Sequence, residues 1–163
     1  MKPRWAAGMF ALAAGAMLQP GSAHAQASSD LQIRATVEDN CTVLTSPLDF
    51  GDVFWINFGN RDATATISLS CTANLDYVVT IDNGQHFNGR RRMFSPAVNR
   101  YVAYQVYTDP VRTQVWGSDV AQGQPGNSGA SGQKTLTAFA RIPGFSLIYP
   151  TGYTDTLTVT VHF

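Results

Sequence analysis

His86 and His162 are the histidines beyond the N-terminal stretch, and a serine-based nucleophile would have to recruit one of them. No Gly-x-Ser-x-Gly turn is present to expose such a serine. His86 follows the Asn83-Gly84 turn and His162 falls on the outward face of a strand, so both are expected in solvent. The carboxylates are scattered as single Asp residues apart from Glu38-Asp39, which leaves no pair for general acid and base work. Asp82-Asn83-Gly84 opens like a calcium loop but lacks the later acidic ligands. A hairpin turn is the expectation there, because Asn and Gly tolerate positive φ. The Gly-rich run before Lys134-Thr135 invites a phosphate-loop reading. It fails because Gln133 intervenes and a strand pattern, not a helix, follows. The residues point to no catalytic group, no metal and no cofactor.

Three other groups could bind rather than react. Arg90-Arg91-Arg92 could contact an anion or a sulfated glycan, but a solvated loop or strand start balanced by acidic neighbours is the plainer expectation. Trp55 and Trp116 could stack on sugar rings, although in a small all-β domain such rings serve more often as core anchors. Cys41 and Cys71 stand 30 residues apart, and their meaning depends on the compartment.

The compartment is legible at the N-terminus. Lys2 and Arg4 form a short positive region, Trp5 to Leu18 is apolar, and Gln19-Pro20-Gly21 breaks the stretch. Ala23-His24-Ala25 then supplies a small-x-small cleavage site, so residues 1–25 read as a secretory signal peptide cleaved after Ala25. The apolar stretch is too short for a membrane-spanning helix, which needs about twenty residues. The exported chain is therefore expected not to be an integral membrane protein. In an oxidising compartment two cysteines are most simply a disulfide, and neither His86 nor His162 has metal-ligand spacing to them. Closing that loop corresponds to about 3.5 kcal/mol in the chain-entropy description.

Composition narrows the class further. Of the 163 residues 44% are hydrophobic and 13% charged, which excludes a disordered chain. Lys+Arg and Asp+Glu number 11 each, so the basic excess of a nucleic-acid binder is missing. Fourteen Gly and eight Pro among Thr-, Val- and Tyr-rich runs favour strands and turns.

The elements that must position these residues follow a period of two. Ala65, Ile67, Leu69 and Cys71 share one face, with Thr64, Thr66, Ser68 and Ser70 on the other. Leu157, Val159, Val161 and Phe163 alternate with Thr156, Thr158, Thr160 and His162. Tyr101 to Tyr107, Leu136 to Ile142 and Tyr77 to Ile81 add further strands, while Gly123 to Gly132 reads as a flexible loop. Seven or eight short strands predict one all-β domain, a β-sandwich.

The ordered motifs resemble a family. Cys41-Thr42-Val43, Leu48-Asp49-Phe50-Gly51 and Ile67-Ser68-Leu69-Ser70-Cys71-Thr72 look like the opening half of the spore coat protein U domain. That domain is similar to the pilins of archaic chaperone–usher pili. Gly89-Arg90-Arg91-Arg92-Met93, Tyr104-Gln105-Val106-Tyr107-Thr108-Asp109, Arg112 to Gly117 and Arg141-Ile142-Pro143 agree, as does Gly152 to Val161. Phe139-Ala140 stands where the family pattern would have Tyr-Gly.

The resemblance implies an immunoglobulin-like β-sandwich that is incomplete, missing its last strand. It implies a structural pilin with no enzymatic activity, whose partners are a periplasmic pilus chaperone, an outer-membrane usher and other pilin copies. In such subunits a donated strand fills the open groove. The domain would then run over 41–163 and the donor arm over 26–40. Leu31, Ile33, Ala35 and Val37 are the donor-strand candidates, and Leu157, Val159, Val161 and Phe163 the acceptor-groove candidates. Alternatives stay open. For the arm, Leu31 to Val37 can instead be read as the domain's own first strand; for the function, a self-complete surface or spore-coat protein that never polymerises is one alternative. A carbohydrate-binding module using Trp116 and Arg90–Arg92 is the other.

Overall fold

The computed structural model describes residues 34–35, 38–52, 56–57, 59–144 and 146–163. The signal segment 1–25 lies outside the described residues, as do Leu31, Ile33, Val37 and Trp55. The chain divides into Met1–Thr36 and a compact unit, Val37–Phe163.

The alternating stretches form strands because their apolar positions recur every second residue, so one face of each can be buried. In chain order these are β1 (Cys41–Thr45), β2 (Ile56–Asn57), β3 (Arg61–Cys71), β4 (Asp76–Ile81) and β5 (Arg91–Ser95). There follow β6 (Arg100–Tyr107), β7 (Gln124–Asn127), β8 (Gln133–Ile142), β9 (Ser146–Leu147) and β10 (Val159–His162). Among the described residues the one helical element is a 3₁₀ turn, Val120–Gln122. All pairings are antiparallel. One sheet has the order β1-β3-β8-β6-β5, a second β10-β4-β7, and β2 pairs with β9. The expected all-β, immunoglobulin-like sandwich is what the chain forms.

The core sits between the two larger sheets. Ile67, Leu69, Val106, Ala140 and Ile142 come from the first, and Val79 and Ile81 from the second. On β3 the alternation is as read: Ala63, Ala65, Ile67 and Leu69 are buried while Thr64, Thr66, Ser68 and Ser70 are exposed. Cys41 stands directly opposite Cys71 in the β1–β3 register, and the two form the expected disulfide. Asn40 extends that pairing, since its carbonyl accepts from the Thr72 amide at 2.8 Å.

Several expectations need correction. Asp82-Asn83-Gly84 is a turn, with the Gly84 amide donating to Asp82 Oδ1 at 3.0 Å and Gly84 at φ 78°. It does not make a hairpin, because β4 pairs with β10 and β7 while the chain crosses to the other sheet before β5. The Gly123–Gly132 stretch is not merely a loop, since Gln124–Asn127 pairs with β4 as a sheet edge. Gln-Pro-Gly-Asn has little strand propensity, and its pairing is set by packing. Tyr77 lies opposite Gly126, and a Cβ there would meet the Tyr77 hydroxyl at 2.7 Å. Pro125 on this edge has no N–H to offer a stray strand.

The polar residues also moved. Arg91, expected in solvent, is 1% exposed. Its Nε donates to the Asp82 carbonyl at 2.8 Å, Nη2 to those of Ile81 at 2.7 Å and Trp116 at 2.8 Å, and Nη1 to Gln105 Oε1 at 2.6 Å. Trp116 is 1% exposed and its indole N–H donates to the Val79 carbonyl at 2.7 Å, so it is a core anchor with no ring face for a sugar. His86 is half-buried rather than solvated, 5.2 Å from the Phe94 ring and 5.9 Å from Tyr101 between centroids. His162 is on the outward face as read, with Nε2 3.0 Å from Thr80 Oγ1.

Candidate functional site

β1 is the outer strand of one sheet and β10 the outer strand of the other, and neither has a ladder partner on its second side. A groove opens beside the end of β1 and the start of β10, at Thr45 and Val159. The segment that reaches β10 bridges both sheets: Thr154 exchanges main-chain hydrogen bonds with Phe94 of β5 at 2.8 and 3.0 Å, and Val159 to His162 pair with β4. Residues after β1 form the facing wall. They are turned inward by an Asx turn in which the Gly51 amide donates to Asp49 Oδ1 at 2.7 Å.

The resulting groove has a volume of about 290 Å³. Thr45, Ser46, Leu48 and Phe50 line one side, and Tyr153, Asp155, Leu157 and Val159 the other. Its floor is core side chains, among them Ala65, Ile67, Ile81, Val106 and Ala138. A second opening of about 530 Å³ shares Leu48, Phe50, Met93 and Tyr153 with it and reaches Ile142 and Ile148. The walls Leu48, Tyr153, Leu157 and Val159 are partly buried, while the floor beneath them is closed, with Val106 and Ile67 no more than 2% exposed.

Leu157 and Val159, read from sequence as groove residues, line it. Val161 continues the same face, partly buried against the core. Phe163 lies beyond the ladder and is 59% exposed. Of the donor candidates, Ala35 is described and exposed, and the other three lie outside the described residues. Leu48, Phe50, Met93, Tyr104 and Asp155 were not foreseen as lining. The spacing of Leu48 and Phe50 around Asp49 and before Gly51 was the available signal.

One polar pair sits in this apolar wall. The Tyr104 hydroxyl donates to Asp155 Oδ2 at 2.7 Å, and the Gln85 amide donates to Oδ1 at 3.0 Å. Burial and then the Asp155 hydrogen bond hold the Tyr104 phenol far above its ordinary range. Burial draws the Arg91 guanidinium down, and nearby Tyr104, Asp82 and Asp155 oppose this. Gly84 leaves room for the Asp155 carboxylate, into which a Cβ at that position would run. Among the described residues no three His, Cys, Asp or Glu side chains gather as a metal site. Apolar walls flanked by two unpaired main-chain edges suit the capture of an extended, apolar-alternating chain. No described helix is long and apolar enough to cross a membrane.

Among curated proteins none matches this sequence. A solved structure with the same fold is the CsuC–CsuE chaperone–tip adhesion subunit pre-assembly complex from the archaic chaperone-usher Csu pili of Acinetobacter baumannii. The similarity has a TM-score of 0.58 at 23% identity over 78% of this chain, and it spans 41% of the length of that chain. Residues 27–160 match the Spore Coat Protein U domain, most of the sequence. The chain belongs to the Spore Coat Protein U domain family.

Proposed function

We propose that this protein is a non-enzymatic structural subunit of a surface pilus, assembled through a chaperone–usher pathway by strand exchange and serving adhesion or biofilm formation. The observation that carries this reading is the apolar groove walled by Leu48, Phe50, Leu157 and Val159, beside the outer strands β1 and β10. An apolar seam of this kind is an aggregation hazard unless something fills it. A periplasmic chaperone would fill it first, and the arm of the next subunit would replace the chaperone at an outer-membrane usher. The residues before the domain fit the donor role. Among the described residues the first strand is β1, which begins at Cys41 and so leaves the arm ahead of it for that role in this reading. Burying Leu31, Ile33 and Val37 of a neighbour would contribute roughly 5–9 kcal/mol before ordering costs. Cleavage after Ala25 would free the arm on export.

The test is removal of residues 26–37 behind an intact signal segment. The shortened subunit should still be captured by its chaperone and should fail to extend a chain. Material sheared from cells making the full protein should run in detergent as a ladder that collapses only on strong heating. Normal extension by the shortened subunit would overturn the donor assignment.

A further inference from the structure

On the outward face of the five-stranded sheet, away from the groove, β6 presents Tyr101, Ala103, Gln105 and Tyr107 in alternation. Ala103 lies opposite Arg92 of β5, and Gln105 opposite Arg141 of β8. The small Ala103 leaves a cleft of about 350 Å³ lined by Arg90, Gln105, Tyr107, Val115 and Arg141. We propose that this cleft binds an acidic sugar, a ring carrying a carboxylate or a sulfate, within a polysaccharide.

The fixed amide of Gln105 carries the assignment. Its Oε1 accepts from Arg91 Nη1 at 2.6 Å and from the Val106 amide at 3.0 Å. Those bonds decide the amide's orientation, so the NH₂ is left as a donor, with no partner among the described residues, in a side chain that lines the cleft. The buried Arg91 thus serves the surface by aiming a neutral donor. Arg90 is exposed, and its guanidinium has no partner among the described residues. Arg141 is held in place by Asp62, Nε to Oδ1 at 2.7 Å and Nη2 to Oδ2 at 2.9 Å, which leaves Nη1 available. The polar groups that line the cleft are therefore mainly donors, which suits an acceptor-only anionic group.

Charge and walls fit the same ligand. Arg90 and Arg141 both line the cleft, in a chain of formal net charge zero. Of the nearby carboxylates, Asp62 is paired with Arg141 and Arg112, and Asp109 accepts from the Thr113 and Gln114 amides. Tyr107 and Val115 supply apolar wall against which a sugar ring can lie. A bare inorganic anion would use the donors and leave that wall idle. The site is independent of strand exchange, because it lies on the opposite face of the sheet from the groove.

The test is titration of the exported protein, as it leaves the producing cell, with oligogalacturonate, its methyl ester and a sulfated oligosaccharide. Binding to the uronate or the sulfated sugar is expected, with loss on esterification. Gln105→Glu keeps an oxygen for Arg91 and Val106 but replaces the outward NH₂ with a second acceptor. It should weaken binding at least tenfold with the thermal midpoint retained, and Arg90→Ser should do likewise. Unchanged affinity in Gln105→Glu would overturn the proposal. So would absence of binding to either acidic sugar, or tripolyphosphate binding as tight as the sugars. Concentration-dependent self-association lost in Arg90→Ser, without glycan binding, would assign the face to a second copy instead.

Discussion

A guanidinium buried without a carboxylate bonded to it has to be held by carbonyls, and Arg91 is held by those of Ile81, Asp82 and Trp116. The first two belong to the end of β4 and its turn, the third to the loop beneath it, while Arg91 itself opens β5. One side chain therefore joins the two sheets at the point where the chain passes between them. Arg91→Met would leave these acceptors buried and unpaired, and we expect a loss of about 3 kcal/mol or more in urea unfolding. Arg91→Lys should rescue little, because an ammonium cannot reproduce the planar fork. In the sequence Arg91 is indistinguishable from Arg90 and Arg92. What separates them is strand parity at the start of β5, and no residue type marks where that strand begins. Tyr104 makes a second prediction. Its folded pKa lies above the unfolded phenol value of about 10, so its contribution to stability is complete below pH 10. It is lost as pH rises past 10, where the unfolded chain ionises and the folded phenol does not. Tyr104→Phe should flatten the alkaline limb of a stability–pH profile, though Tyr77, also raised by burial, will keep part of the slope.

Strands with one apolar face announce themselves, and β3, β6 and β8 were legible because their alternation is sustained, over Tyr101–Tyr107 in β6 and Leu136–Ile142 in β8. β7 and the pairs β2–β9 carry no such period, being four and two residues long, and their pairing depends on what lies opposite. The final segment shows both cases. Leu157, Val159 and Val161 are half-buried as their spacing requires, yet the ladder itself spans only Val159–His162. The facing wall was harder to see, since Leu48 and Phe50 belong to no strand and are placed by the Asp49–Gly51 turn. Charging the groove tests the site at this scale. Val159→Asp puts a carboxylate among Ile81, Leu157 and their neighbours, and capture by the chaperone in a pull-down should be abolished. Undiminished capture would remove the groove from the proposed mechanism.

The described domain is a sandwich with a groove beside β1 and β10 and a further sheet edge, β7, that carries Pro125. Two-layer packing was readable from alternation, because alternation is a property of local sequence. That β1 and β10 become outer strands beside one groove was not, since it depends on which strands pair at long range. The groove residues read from sequence were placed there by family resemblance.

The Cys41–Cys71 bond has a mechanical consequence. A pull on the residues preceding Cys41 enters the fold at a point covalently joined to the end of β3, the eleven-residue strand between β1 and β8. The load therefore bypasses the β1–β3 ladder, and the 30-residue interval between the cysteines cannot pay out as the domain extends. In single-molecule stretching, oxidised protein should lengthen by roughly 100 Å less than reduced protein, at about 3.3 Å per withheld residue. A fibre of such domains would yield less under flow in an oxidising medium than in a reducing one.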